Sequence, residues 1–298
     1  MTELIGRDGL VIVDKPGGMT SHDVVARVRR LAGTPKVGHA GTLYPMATGV
    51  LVVGVEKATR LLGYLTLTEK EYSATIRLGQ TTSTDDAEGE FTGTATAAGV
   101  TVEAIDQAVA GLTGEIGQVP PAVSAIKVGG QRAYKLTRAG AAPELAARPV
   151  TVYEFTLTGI RRVEGAGELS GLLDLDATVR CSSGTYIRAL ARDLGAALGT
   201  GGHLIRLRRT RVGGYRVEES RTLEQLAEQF EMLPLAEAAA AAFPRRDLSA
   251  DEARRLAHGG RLAPSGAAEP TAAFAPDGTL IALVIEESGQ ARPLAVFA

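Results

Sequence analysis

An alternating stretch in the second half of the chain constrains the fold more than any other sequence feature. From Leu173 to Val179, apolar residues occupy every second position, with Asp, Thr and Arg between and after them. Such alternation is typical of a strand with one buried face and one solvent face. The strand runs into Cys181-Ser182-Ser183-Gly184, and a helical pattern then continues from Ile187 until Gly199 ends it.

Other segments predict strands and helices in irregular order. Strands are expected at Val11–Val13, Gly49–Gly54, Ala74–Leu78, Tyr153–Leu157, Thr279–Ile285 and Pro293–Phe297. Ser21 is expected to cap a helix whose buried face carries Val24, Val28 and Leu31. Thr101 is expected to cap a second helix, with apolar residues at helical spacing at Val102, Ile105, Val109 and Leu112. Thr92–Gly99 and Ala139–Pro149 are expected to be connections. Because helices and strands do not alternate regularly, the pattern favours an α+β fold over a doubly wound parallel sheet.

Composition limits the class of protein. The chain has 298 residues, of which 45% are hydrophobic and 22% charged, so a globular fold is expected. Lys and Arg total 32 against 34 Asp and Glu, so a nucleic-acid binder of this kind would need a local basic patch. The lone Cys181 excludes an internal disulfide and suits a reducing compartment. With neither a signal-peptide pattern nor an apolar run long enough to cross a bilayer, a cytoplasmic protein without membrane association is expected.

Several common types of site are missing from the sequence. The four histidines are scattered, and none has metal-ligand spacing with Cys181. The chain contains neither a GxxxxGK[ST] phosphate loop nor a GxSxG elbow. We therefore expect neither a metal nor a nucleotide cofactor.

Two segments are candidates for binding. His203–Arg216 carries five arginines and no acid, which predicts a ridge that contacts phosphates; the alternative is a solvated strand paired with the many acids of the chain. Val37–Val50 is a glycine-punctuated loop with one His, two Thr and one Tyr, which allows a ligand to approach the backbone closely. A structural turn is the alternative for that loop.

Short motifs spread over about three quarters of the chain resemble the TruB family of bacterial tRNA pseudouridine-55 synthases. They occur in the family's order, and the C-terminal piece more weakly resembles that family's small PUA-type RNA-binding domain. The motifs are Asp14-Lys15-Pro16, 38–43 (GHAGTL), 45–51 (PMATGVL), Lys70-Glu71-Tyr72, 78–86 (LGQTTSTDD), Val119-Pro120-Pro121, Ser124-Ala125-Ile126-Lys127, 184–188 (GTYIR) and Leu207-Arg208-Arg209.

The resemblance implies a cofactor-free isomerase with a mostly antiparallel, mixed sheet. Such an enzyme flips the T-loop uridine at tRNA position 55 out of its stack, breaks the N1–C1′ bond and rejoins uracil through C5. It implies that Tyr72 stacks on the base and serves the C5 proton, that Arg188 pairs with the catalytic carboxylate, and that Asp86 joins this network. His39 would take the space of the flipped base. The residues implied to bind RNA or line the base pocket are Lys15, His39, Gly41, Thr42, Tyr186, Leu207, Arg208 and Arg209.

Each of these roles has a plainer alternative. Tyr72 could be an ordinary strand aromatic, Arg188 a solvated helix residue and Asp86 a turn acid. The resemblance further implies a catalytic domain over 1–240 and a PUA-like domain over 244–298, with the boundary at the alanine run that ends before Pro244. We expect 121–149 to be a mobile, RNA-contacting segment, with a helix at 133–139 as the alternative. A monomer that binds the tRNA T arm is expected.

One position departs from the family pattern. The family signature is G-T-L-D-P, in which Asp is catalytic, whereas this chain has Tyr44 and no acid anywhere from 38 to 51. Phenols titrate near ~10 and carboxyls near ~4, so a tyrosine there is neutral at pH 7 unless strongly perturbed. Arg188 would lose an anionic partner, a loss that pairing with Asp86 or RNA partly offsets.

Two functions of different classes follow from that departure. The first is a pseudouridine synthase with strongly reduced or no turnover, and the second is a catalytically silent protein that binds and helps to fold the tRNA T arm. A small-molecule α+β enzyme unrelated to RNA would require the motif match to be chance.

Overall fold

The elements follow one another in the irregular order that the sequence predicts. The computed structural model describes residues 8–124, 127–128, 131–132, 145–163 and 171–298. The strands are β1 (Gly9–Lys15), β2 (Val37–Ala40), β3 (Thr48–Val55), β4 (Lys70–Leu78), β5 (Gln80–Thr82), β6 (Phe91–Thr94), β7 (Gly114–Gln118), β8 (Lys127–Val128), β9 (Gln131–Arg132), β10 (Arg148–Arg162), β11 (Leu173–Cys181), β12 (Gly202–Val212), β13 (Tyr215–Arg216), β14 (Leu233–Pro234), β15 (Arg245–Asp247), β16 (Thr271–Phe274), β17 (Leu280–Glu287) and β18 (Gln290–Val296). The helices are α1 (Ser21–Ala32), α2 (Leu62–Leu65), α3 (Val102–Gly111), α4 (Ile187–Ala197), α5 (Leu223–Glu228), α6 (Leu235–Ala242) and α7 (Ala250–Ala257).

The chain forms two compact units that each draw on several stretches of sequence. The first contains Met1–Pro45, Gly49–Leu67 and Arg211–Ala298, and the second contains Met46–Thr48 and Thr68–Thr210. The α+β fold class is confirmed, with mostly antiparallel strands in the large sheet and a small β sheet at the C-terminal end.

In the first unit, β1 pairs with β14 and β3, and β3 also pairs with β2, all antiparallel. The C-terminal sheet has the order β15-β16-β17-β18, with β15 parallel to β16 and the other pairs antiparallel. One buried cluster joins Leu10 and Val52 to Ala238, Phe274 and Phe297. Residues before and after the predicted boundary at 240–244 therefore pack into one hydrophobic cluster. The division of the chain into two domains at that boundary remains a prediction.

In the second unit the strand order is β12-β4-β11-β10-β7. The strand predicted from alternation is β11, whose Leu173, Leu175, Ala177 and Val179 are buried, and it pairs antiparallel with β4 and β10. The helix that follows, α4, lies close to the chain just before β12. A Cβ added to Gly195 would come within 2.2 Å of the backbone at Gly201 and Gly202, so only glycine permits this approach.

Three local predictions need correction. The cap of α1 is Thr20, not Ser21: the Thr20 hydroxyl accepts a hydrogen bond from the Asp23 amide, and the Asp23 carboxylate accepts one from the Thr20 amide. Thr92–Gly99 is not all connection, because its first residues pair with β5 as β6. A bulge after Val152 shifts the alternation of β10, which leaves Tyr153 47% exposed.

Of the remaining local predictions, one is confirmed, one is partly wrong and one falls mostly outside the described residues. Thr101 caps α3, and its hydroxyl accepts a hydrogen bond from the Ala104 amide. Ala139–Pro149 ends in strand, since β10 starts at Arg148, and 139–144 lies outside the described residues. Most of the segment predicted to be mobile, together with its helical alternative at 133–139, also lies outside them.

Candidate active site

The turn after β1 is organised by a buried lysine. The ammonium of Lys15 is 0% exposed and donates to the carbonyls of Pro16, Met19 and Pro45 at 2.8, 2.7 and 3.2 Å. These three bonds match the three N–H groups of an ammonium. Lys15 therefore ties the turn after β1 to the residue that follows Tyr44. Contact of Lys15 with RNA remains a prediction. In this conformation its three hydrogen bonds favour a role in positioning the backbone next to Tyr44.

A serine fixes the backbone on the other side of Tyr44. The buried hydroxyl of Ser21 accepts a hydrogen bond from the Leu43 amide at 2.9 Å and donates one to the Leu43 carbonyl at 3.2 Å. Gly41 has a φ of 73°, a left-handed conformation that favours glycine. Tyr44 is thus held between two anchored neighbours, and its own side chain is half-buried.

Two other loop residues lie in the same unit. The ring of the half-buried His39 meets the ring of His22 edge to face, with 5.5 Å between centroids. Thr42 is exposed. The prediction that Val37–Val50 is a loop is partly wrong, because β2 occupies Val37–Ala40 and β3 begins at Thr48.

In the second unit the structure brings Asp86 and Arg188 together. Their side chains are 1% and 2% exposed, and Nη1 of Arg188 lies 2.6 Å from Oδ2 of Asp86. The other Asp86 oxygen accepts from the Thr84 hydroxyl and from the Glu88 amide. The guanidinium of Arg188 also donates to the carbonyls of Thr84 and Val123. Arg188 is therefore no solvated helix residue, and Asp86 is more than a turn acid.

The residue before Asp86 is also unusual. Asp85 adopts a φ of 59°, a left-handed conformation uncommon outside glycine, and its carboxylate lies 3.3 Å from Nη1 of Arg192. Burial raises the pKa of Asp85, against the opposing effect of the arginines at 192 and 188. The resemblance motifs did not single out Arg192, although it lies one helical turn after Arg188.

A second cluster in this unit surrounds Tyr72. Its side chain is 7% exposed, and burial raises the pKa of Tyr72 although a hydrogen bond with Arg209 opposes the rise. Its phenol is therefore neutral at neutral pH. On the same face of β4, two residues earlier, Lys70 is also buried and donates to the Thr68 carbonyl. Burial, with Arg209 nearby, lowers the pKa of Lys70 to about 8.

The arginine ridge is corrected in one respect. Arg209 is 1% exposed and forms a hydrogen bond with Tyr72, so it is not a surface contact in this conformation. Leu207, on the same face of β12, is 4% exposed. Arg206 is exposed, and Arg208 donates to the Thr48 hydroxyl at 3.3 Å. The predicted phosphate contacts can therefore involve only part of the ridge, because Arg209, on the inner face of β12, is buried.

Tyr186 is the N-cap residue of α4. The sequence did not predict its hydrogen-bond partner, Gln118. The buried side-chain amide of Gln118 accepts a hydrogen bond from the Tyr186 amide at 2.8 Å and donates one to the Tyr186 carbonyl at 3.1 Å. The signal available in the sequence was weak, since Gln118 lies directly before the Val119-Pro120-Pro121 motif but in no motif itself. Burial raises the pKa of Tyr186.

The described residues offer neither a metal-binding cluster nor a membrane-spanning helix. No group of three or more His, Cys, Asp or Glu side chains in that part of the chain is arranged to hold a metal ion. None of the helices there is long and apolar enough to cross a membrane.

The α+β fold, whose second unit holds a buried Arg–Asp pair and a buried Tyr–Arg pair, is the pseudouridine synthase fold. Comparison with known families agrees. Residues 29–187 match the TruB family pseudouridylate synthase N-terminal domain, 188–239 match the tRNA pseudouridylate synthase B C-terminal domain, and 243–298 match the C-terminal domain of tRNA pseudouridine synthase II. The chain belongs to the TruB family of pseudouridylate synthases.

Individual relatives support the assignment over nearly the whole chain. A protein named tRNA pseudouridine synthase B from Thermobifida fusca (strain YX) is 64% identical over 291 residues, which cover 98% of this chain and 99% of the relative. Another of that name, from Arthrobacter sp. (strain FB24), is 60% identical and covers 97% of this chain and 96% of the relative.

Solved structures resemble the chain as well. An H/ACA RNP bound to a substrate RNA containing 2′-deoxyuridine includes a chain with a TM-score of 0.69 and 25% identity, which covers 97% of this chain and 85% of that one. A Cbf5-Nop10-Gar1 complex gives a TM-score of 0.69 at 27% identity, covering 98% and 84%.

Proposed function

We propose that this protein binds the T arm of tRNA and flips the uridine at position 55, and that it isomerises the base only slowly because Tyr44 replaces the family's catalytic aspartate. The proposal includes a cytoplasmic, monomeric protein that needs no cofactor. The proposal is supported by 64% and 60% identity, over nearly the whole chain, to proteins named tRNA pseudouridine synthase B. It is also supported by the stretch Gly41-Thr42-Leu43-Tyr44, in which Tyr44 stands at the position of the aspartate in the family motif.

The observation that carries the proposal is the buried pair of Arg188 and Asp86. A buried guanidinium without an anion would destabilise the fold by several kcal/mol. At 2.6 Å, Asp86 supplies that anion within the same unit, so the chain tolerates a neutral residue at position 44 without leaving Arg188 uncompensated. The fold and the RNA site can therefore persist where the reacting carboxylate is lost.

The chemistry explains why position 44 matters. Isomerisation breaks the N1–C1′ bond, turns the uracil and forms the C5–C1′ bond, while C5 loses a proton and N1 gains one. An anion beside the sugar is needed to attack C1′ or to remove the C2′ proton. A neutral phenol does neither well. The neutral Tyr72 phenol, held by Arg209, is suited to stack on the flipped base.

The test compares tritium release from tRNA labelled at uridine C5 for the unaltered chain, Tyr44→Asp and Tyr44→Asn. We expect Tyr44→Asp to be at least about 100-fold faster than the unaltered chain, because a positioned carboxylate typically contributes that much. Tyr44→Asn matches aspartate in shape but carries no charge, so it should remain slow. Affinity for a T-arm stem–loop should differ little among the three.

Two outcomes would reject parts of the proposal. Rapid turnover by the unaltered chain would contradict the role assigned to Tyr44. Absence of stem–loop binding by all three proteins would contradict the RNA substrate. Tight binding combined with no release even by Tyr44→Asp would favour the second candidate, a T-arm binding protein that assists folding without modification.

A further inference from the structure

The side-chain amide of Gln118 forms two hydrogen bonds with the backbone of Tyr186, as the backbone of a neighbouring β-strand would. It lies at the end of β7, is 2% exposed, and exchanges two hydrogen bonds with the amide and carbonyl of Tyr186. A backbone N–H only donates and a carbonyl only accepts, so this pair fixes which end of the Gln118 amide faces which group. Both contacts lie within the second unit.

Helix α4 has a start that its own sequence does not stabilise. Its N-cap, Tyr186, makes no side-chain capping bond, and its first turn contains no acid. Arg188 lies in that first turn, where a positive charge opposes the helix dipole. The first turn is therefore held from outside the helix, by Gln118 at the cap and by Asp86 at Arg188.

The residues that follow Gln118 are bound to the same helix. Arg192 donates to the Val119 carbonyl at 2.7 Å, and Arg188 donates to the Val123 carbonyl at 2.7 Å. With the two bonds of Gln118, four hydrogen bonds join 118–123 to the first two turns of α4. Moving the cap would therefore shift both Tyr186 and Arg188.

We propose that Gln118 is a positioning residue that fixes where α4 begins, and through it the placement of Tyr186 and Arg188 toward the substrate base. The inference deepens the proposed function and rests on it wherever it refers to a substrate. Its structural part, the control of the first turn by Gln118, can be measured without RNA.

Two variants isolate the hydrogen bonds. Gln118→Met keeps the length of the side chain and removes both bonds. Gln118→Glu keeps the acceptor for the Tyr186 amide but places a second oxygen against the Tyr186 carbonyl, which it can satisfy only when protonated. Gln80→Met is the control, because it removes a glutamine of similar burial (3%) from β5.

The first measurement is amide hydrogen exchange of Tyr186 in the full chain. Its amide bonds to Gln118, so we expect exchange about 10-fold faster in Gln118→Met and unchanged exchange in Gln80→Met. In Gln118→Glu, protection relative to the parent chain should increase as the pH falls from 8 to 5. Equal exchange in Gln118→Met and the parent would overturn the inference.

The second measurement uses Tyr44→Asp as the parent and single-turnover tritium release. At saturating RNA, Gln118→Met should lower the rate constant by about 10-fold or more while stem–loop affinity changes by less than about 3-fold. Gln118→Glu should regain rate on acidification. A loss equal to that of Gln80→Met would mean a general packing effect and would reject the positioning role. If Tyr44→Asp itself releases no tritium, the proposed activity fails, and the exchange data alone decide the role of Gln118.

Discussion

Arg188 and Asp86 form an ion pair in which both side chains are almost completely withdrawn from solvent, with 2.6 Å between Nη1 and Oδ2. Removing one member of such a pair leaves an uncompensated buried charge, which is far more costly than losing a surface ion pair. The pair is therefore important for stability as well as for the proposed site.

Asp86→Asn should lower the free energy of unfolding by about 3 kcal/mol, because Arg188 then stays buried without its carboxylate. Urea denaturation measures the change. Asp85→Asn is the adjacent control: burial already disfavours the charge of Asp85, and asparagine tolerates its left-handed backbone, so a change below about 1 kcal/mol is expected. Equal losses in the two variants would contradict the special position of Asp86.

Thr20→Ala and Ser21→Ala should each destabilise the protein by about 1 kcal/mol, but for different reasons. The first removes the cap of α1, and the second removes the two hydrogen bonds that hold Leu43 next to Tyr44. Amide exchange at Leu43 should therefore accelerate in Ser21→Ala and remain near the parent value in Thr20→Ala. The reverse pattern would show that Ser21 does not anchor the loop.

Lys70 should make stability rise with pH between about 8 and 10.5. The pKa of its folded state is lowered to about 8 from 10.5, so over that interval the unfolded chain holds a proton that the folded chain has released. The folded state is thus penalised below pH 8, by about 3 kcal/mol, and the penalty is relieved as pH rises. Comparing urea unfolding of the parent and Lys70→Met from pH 7 to 10.5 isolates this contribution.

Lys70→Met should remove that part of the pH dependence, so its stability advantage over the parent should shrink as the pH rises. Lys36→Met, at an exposed lysine, should differ from the parent by an amount that hardly depends on pH. A pH-independent difference for Lys70→Met would mean that Lys70 keeps an ordinary pKa in the folded protein.

Arg206→Ala should weaken binding of a T-arm stem–loop and reduce the slope of log affinity against log salt by about 1, because the exposed Arg206 is expected to contact one phosphate. Filter binding at several salt concentrations gives the slope. Arg221→Ala removes an exposed arginine already paired with Glu231 and should leave the slope unchanged. A flat salt response of the parent would exclude the ridge as a phosphate contact.

The sequence by itself determined the features that depend on local periodicity and on motif order. The alternation from Leu173 to Val179 is set by side chains on opposite faces of one strand, and Thr101 caps α3 through a hydrogen bond three residues away. The order of the motifs was enough to predict the family, and the sequence alone shows that 38–51, which contains Tyr44, has no acidic residue.

Only the tertiary structure decided which charges are buried and what they meet. Arg209 belongs to a run of arginines that is equally compatible with a solvent-exposed strand, yet it is buried beside Tyr72. Gln118 carries no local signal because its partner, Tyr186, is 68 residues away in the chain. Such contacts are long-range, and burial is a property of the packed chain, so the residues that hold the site in place emerged only once its strands and helices were assembled.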